Sequence, residues 1–139
     1  MKLSLRVSEE YSEKDAALLN ALQLAYLGDA VWETVIRDTL VHRRLNVRHL
    51  HNACIQYVNA GAQASFLEMI SPEMTDLEAE IARRGRNSHA HHPAPKNQDP
   101  EDYANATGFE AVIGFLYLTG QEERIIRFAK MIIGGNNDG

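Results

Sequence analysis

Leu24-Ala25-Tyr26-Leu27-Gly28-Asp29-Ala30-Val31-Trp32 sets a glycine and an acid side by side in an otherwise apolar run. Apolar residues continue outward at Leu18, Leu19, Leu22, Val35 and Ile36, a spacing that follows the 3.6-residue period of a helix and not the alternation of a strand. Ser12-Glu13-Lys14-Asp15 supplies an N-cap and early acids, so one long, mostly buried helix is expected from there, fading near Leu45-Asn46. Glycine weakens a helix interior unless another group must approach closely. Ala106-Thr107-Gly108-Phe109-Glu110-Ala111-Val112-Ile113-Gly114 repeats the arrangement on a second apolar stretch.

Between these two stretches the same signals predict more helices. Asn46 caps a segment through Leu50, Ile55 and Val58. Ala60-Gly61-Ala62-Gln63-Ala64 leads to Phe66, Leu67, Met69 and Ile70, and Ser71-Pro72 stops that run. Thr75 caps a set of turns reaching about Arg84. Residues 85–100 contain Pro93, Pro95 and Pro100 without apolar periodicity and are expected to form the one long loop. The pattern returns from Tyr103 to Leu118, breaks at Thr119-Gly120, and resumes as an amphipathic helix from Gln121 to about Ile133. The fold class is all-α, with about six helices and no strand.

The chain has 139 residues, 45% of them apolar and 24% charged, which suits one domain with a real core and excludes wholesale disorder. Residues 1–12 read as a weakly ordered leader, 13–134 as the folded domain and 135–139 as a flexible tail. No apolar run approaches the roughly 18 residues that span a bilayer, and the first residues do not form a signal peptide. A cytoplasmic location is expected. The single cysteine, Cys54, matches neither an internal disulfide nor a zinc spacing. Asn105-Ala106-Thr107 matches a glycosylation sequon that carries no weight without a secretory signal.

A net charge of −5 conceals segregation: eight of the 14 basic residues are Arg37, Arg43, Arg44, Arg48, Arg83, Arg84, Arg86 and Lys96, while acids crowd residues 9–15 and 68–80. Arginine forks bind phosphate bidentately, so Arg83-Arg84-Gly85-Arg86-Asn87, at the start of the expected loop, is a candidate phosphate or RNA contact. Solvated helix C-termini are the competing reading, and they suit Arg43-Arg44 better. His89, His91 and His92 fall in the same loop without metal-ligand neighbours.

Asp29 and Glu110 carry the chemistry. A buried carboxylate is costly unless paired or bound to a cation, and two helices here each offer one beside small residues. Two acids with open positions suit Mg²⁺, whose remaining ligands are waters and phosphate oxygens, and that arrangement serves phosphodiester hydrolysis. A di-iron bundle would need Glu-x-x-His pairs, which are absent. The competing structural reading makes Asp29, Glu33 and Arg37 an ion-paired stripe and gives Glu110 an arginine across the core.

The stretch around Asp29 resembles the signature helix of the ribonuclease III catalytic domain, and Gly108-Phe109-Glu110-Ala111 with Ile113-Gly114-Phe115-Leu116-Tyr117-Leu118 resembles its second acidic helix. With Arg84-Gly85-Arg86-Asn87, Pro95-Lys96-Asn97 and Ala106-Thr107-Gly108-Phe109-Glu110-Ala111, the chain is similar to the Mini-ribonuclease III family, a catalytic domain without a double-stranded-RNA-binding domain, over roughly residues 19–129. The resemblance implies a homodimeric, Mg²⁺-dependent endoribonuclease that leaves a 5′-phosphate and trims double-stranded stems at the ends of large-subunit (23S) ribosomal RNA precursor. It implies Asp29 and Glu110 as metal-binding acids. With it, Arg83, Arg84, Arg86, Lys96 and Asn97 become candidate RNA contacts, the helix face with Tyr26 and Trp32 a candidate dimer contact, and a large-subunit ribosomal protein a further candidate partner. Ala25 and Thr107 stand where ribonuclease III proper has further carboxylates, a replacement the smaller family shares; Gly61 stands where a lysine is usual, and the segment 88–92 is unusually His-rich. The alternative function is a non-catalytic helical RNA- or ribosome-binding module with the same fold.

Overall fold

The computed structural model describes residues 5–88 and 94–136, and among these residues the regular secondary structure is all helical. Among the described residues seven α-helices run in order: α1 (Glu13–Ala17), α2 (Ala21–Val41), α3 (Val47–Val58), α4 (Ala60–Ile70), α5 (Asp76–Asn87), α6 (Pro100–Leu118) and α7 (Glu122–Asn136), with a 3₁₀ turn at Ser71–Glu73. The expected single helix from Ser12 is therefore two. Ser12 does cap α1, but Asn20 starts again with a capping box: its side chain accepts from Leu22 N at 2.7 Å and Gln23 Oε1 accepts from Asn20 N at 3.1 Å. The side chains of Asn46 and Asn59 cap α3 and α4 by accepting from His49 N and Ala62 N, and Thr75 caps α5 with a second capping box.

The expected loop also starts later than the sequence suggested. Helix α5 continues through Arg84-Gly85-Arg86-Asn87, because Gly85 is buried against α6: a Cβ there would lie 2.8 Å from Gly108 Cα. The glycine expected to open the loop is a packing glycine inside α5. The histidines His89, His91 and His92 lie outside the described residues.

Helix α6 is the axis of the domain, buried from Ala106 to Leu116 except at Glu110, and α2, α4 and α5 pack around it. Its partners meet in an aromatic cluster. Trp32 stands edge-on to Phe109 at 5.0 Å between centroids, Phe66 lies 5.9 Å from Phe109, and Trp32 Nε1 donates to Tyr57 O at 2.8 Å. Trp32 is 0% exposed, which removes it from the expected dimer contact; Tyr26, at 85% exposure, stays on the surface.

Helix α7 is tied across the domain by Glu78, which is 2% exposed. Its carboxylate completes the α5 capping box and accepts from Arg124 Nε and Nη2, both at 2.6 Å. Arg6 reaches Glu122 at 2.9 Å and lies over the Tyr117 ring, while Tyr11 N donates to Leu118 O, so residues 6–11 run along the end of α6. No helix among the described residues is long and apolar enough to cross a membrane.

Candidate active site

Helices α2 and α6 cross at contact distance. A Cβ at Gly28 would overlap the Glu110 carbonyl, and one at Gly114 would overlap the Leu24 carbonyl, so glycine is required on both helices. The acid that follows Gly28 in sequence is thereby delivered to the acid four residues before Gly114. Asp29 and Glu110 stand close enough for their carboxyl groups to hydrogen-bond.

The two acids differ in surroundings. Asp29 is exposed, contrary to the buried position its apolar neighbours suggested, whereas Glu110 is half-buried. Burial, then the hydrogen bond and the negative charge of Asp29, push the Glu110 carboxyl up to about 8, and the Gln63 amide pulls it partly back. Among the described residues Glu110 meets no arginine, and Arg37 pairs at 2.7 Å with Glu33, not Asp29. The ion-paired stripe is thus confined to Glu33 and Arg37.

Such a pair holds a proton when nothing else neutralises it, and a divalent cation is the natural replacement. Among the described residues no three His, Cys, Asp or Glu side chains gather to hold a metal unaided. Two carboxylates with the remaining positions open are the donor set that suits Mg²⁺, a hard cation that keeps waters and takes phosphate oxygens.

The raised Glu110 carboxyl has a measurable consequence. Its folded-state value lies above its ordinary value of 4.5, so the folded state binds the extra proton and this group's contribution to stability falls as pH rises from about 4.5 to about 8. In EDTA, the thermal midpoint of the wild type is expected to decline across this window more steeply than that of Glu110→Gln. Parallel profiles would mean that Glu110 titrates normally.

Beside Glu110 lies a cavity of about 530 Å³ lined by Asn59, Gly61, Gln63, Asp102, Tyr103 and Thr107, among others. Gln63 was not singled out from the sequence, where an amide between alanines carries no charge signal. A larger groove of about 1280 Å³ runs between α2 and α7 past Leu27, Val31, Ile126 and Met131, but neither carboxylate lines it.

The five candidate RNA contacts are not equivalent. Arg83 is ion-paired with Glu80 on the surface. Arg84 donates through Nη2 to Ala17 O at 2.7 Å, tying α5 to α1. Arg86 is exposed on α5, with its stem against Gly108, and Lys96 and Asn97 are exposed in the segment before α6.

The ribonuclease III domain profile matches residues 22–121, which include both carboxylates. A Mini-ribonuclease 3 of Symbiobacterium thermophilum is 48% identical over 108 residues, covering 77% of this chain and 82% of that protein. One of Clostridium tetani is 40% identical over 129 residues, covering 91% and 85%. A crystal structure of a Fusobacterium nucleatum protein superposes with a TM-score of 0.79 at 30% identity, over 88% of this chain and 98% of the other.

Proposed function

The chain belongs to the ribonuclease III domain family and within it to the Mini-ribonuclease 3 group, and from that premise we propose that it cleaves double-stranded RNA with a divalent cation, Mg²⁺, held by Asp29 and Glu110. It is an endoribonuclease of the ribonuclease III type. The observation that carries the metal assignment is the hydrogen-bonded carboxyl pair at the α2–α6 crossing, where Glu110 is displaced to about 8. When bound, the cation neutralises charge on the phosphate and favours deprotonation of an attacking water. The chain's own residues hold the two carboxylates at one point: the glycines set the helix spacing, and the Gln63 amide favours the ionised form of Glu110.

The natural substrate on this reading is the stem at the ends of 23S ribosomal RNA precursor, in the cytoplasm, with a large-subunit ribosomal protein as a candidate partner. A labelled stem is expected to be cut at defined positions with Mg²⁺, leaving 5′-phosphates, and to stay intact in EDTA. Loss of the duplex in EDTA would overturn the metal assignment, and end mapping on precursor RNA tests the substrate.

A duplex presents two antiparallel strands related by local two-fold axes, which an isologous dimer matches with one cleft per strand. Tyr26 and Leu18, 85% and 77% exposed, offer apolar surface for that contact. Tyr26→Ala is expected to shift sedimentation toward monomer at micromolar concentration. A wild type that is monomeric and active would remove the dimer.

Arg86 and Lys96 make no ion pair among the described residues and are the available phosphate contacts of the basic segment. Each alanine substitution is expected to weaken duplex binding whatever the sequence and to lower the salt slope by about one. Arg84→Ala should lower the thermal midpoint instead, through the lost bond to Ala17. Salt titrations in Ca²⁺ read the first effect; wild-type slopes for both Arg86→Ala and Lys96→Ala would remove the segment from the interface.

A further inference from the structure

Helix α4 carries one polar side chain on its inward face. Gln63 is 2% exposed, and Phe66, Leu67 and Ile70, which follow it at helical spacing, are buried in the core. An amide among such neighbours costs stability, and an apolar side chain of the same shape would fill the place at least as well. Packing alone does not account for it.

The reason lies across the contact of α4 with α6. Gln63 and Glu110 line the same cavity, the amide nitrogen is closed off from solvent, and the amide favours the charged form of the Glu110 carboxyl. Asp29 meets that carboxyl as well. Glu110 is thus held between an acid on α2 and an amide on α4, and once both acids are ionised only the amide can donate to it.

The amide is rigidly mounted. Asn59 accepts from Ala62 N at 2.8 Å and donates from Nδ2 to Ile55 O at 2.9 Å, while its carbonyl accepts from Gln63 N at 3.0 Å, so the first turn of α4 is fastened to the end of α3. Further along α4, the Phe66 ring packs 5.9 Å from that of Phe109, the residue before Glu110. Gln63 has little freedom to follow a carboxylate that rotates away.

A restrained carboxylate discriminates between cations. Mg²⁺ demands near-octahedral geometry at short distances, whereas Ca²⁺ accepts more oxygens at longer distances and takes a carboxylate through one oxygen or both. We propose that Gln63 is a positioning residue of the site, whose amide donates to one Glu110 oxygen, leaves the other to the cation beside Asp29, and so favours Mg²⁺ over Ca²⁺. This rests on the metal reading above.

Calorimetric titration of the metal-free chain with Mg²⁺ and with Ca²⁺, in the absence of RNA, tests this. Gln63→Met keeps the length of the side chain and fills its space without a donor, and Gln63→Leu is the second variant. Each is expected to bind Mg²⁺ about 10- to 100-fold more weakly than wild type, the usual effect of removing a group that orients a metal ligand. Ca²⁺ affinity should change by less than about threefold, because a freed carboxylate can offer that ion both oxygens. On a labelled stem at subsaturating Mg²⁺, kcat should fall with KM for RNA unchanged, and excess Mg²⁺ should restore much of the loss. A purely structural role predicts a lower thermal midpoint in EDTA together with the cation preference of wild type. That preference retained in the variants, equal losses for the two cations, failure of both variants to fold, or a wild type that does not prefer Mg²⁺ would each overturn the proposal. Failure of the wild type to bind either cation would instead overturn the metal reading.

Discussion

Asp29→Asn and Glu110→Gln are each expected to lower kcat on duplex RNA by about 10³-fold or more, while leaving duplex affinity in Ca²⁺ within about threefold of wild type. The size follows from the charge the pair must manage: a cation stabilises several kcal/mol of developing charge, and each 1.36 kcal/mol is tenfold in rate. Neither change opens a cavity, since the amides are isosteric with the acids. In metal-free protein at alkaline pH, Glu110→Gln should even be the more stable, because the wild type must then ionise a half-buried carboxyl beside Asp29. Glu33→Gln is the control, because it breaks only the exposed pair with Arg37, of the kind worth about 0–1 kcal/mol, and should leave turnover near normal. Near-normal turnover by either active-site variant would remove the assignment and favour a binding module of the same fold.

The carboxylate pair was legible in the sequence because an acid and a glycine in one apolar helix violate two local preferences at once, side by side at Gly28-Asp29 and two residues apart at Gly108 and Glu110. A violation of that kind has a tertiary cause. Elsewhere the local signals pointed the wrong way for equally physical reasons. Leu18 and Leu19 continue the apolar period across the break before Asn20, and only the capping box of Asn20 with Gln23 separates α1 from α2. Gly85 looks like a helix end until Gly108 is placed against it. Trp32 belongs to the core with Phe66 and Phe109, a fact set by which face of α2 turns toward α6. Gln63 carried no signal at all: its meaning lies in the contact of its amide with Glu110, a residue far away in sequence.

The same crossing makes Gly28 the most sensitive uncharged position of the site. At an ordinary exposed helix position, glycine to alanine stabilises by about 0.5–1 kcal/mol through the unfolded chain, and Gly134→Ala, where a Cβ would meet nothing within 4 Å, is expected to do so. Gly28→Ala reverses the sign. Its methyl group would occupy the space of the Glu110 carbonyl and crowd the backbone at Gly114, and neither is a side chain that can rotate away. Helices α2 and α6 must therefore separate along their contact, against α6 residues that are buried from Ala111 to Leu116. Such a shift exceeds ordinary overpacking, so a loss of at least about 3 kcal/mol is expected in denaturant melts. The chemistry suffers as well, because the displacement falls on the backbone that carries Asp29 and Glu110. Catalysis tolerates about an ångström of misplacement only at a cost near 10²-fold. Any Gly28→Ala protein that folds should thus cut poorly and lose the steep pH dependence of the metal-free thermal midpoint, since that dependence needs the two carboxyl groups in contact. A variant as stable as wild type, with the same pH profile, would mean that the close crossing does not hold the pair together.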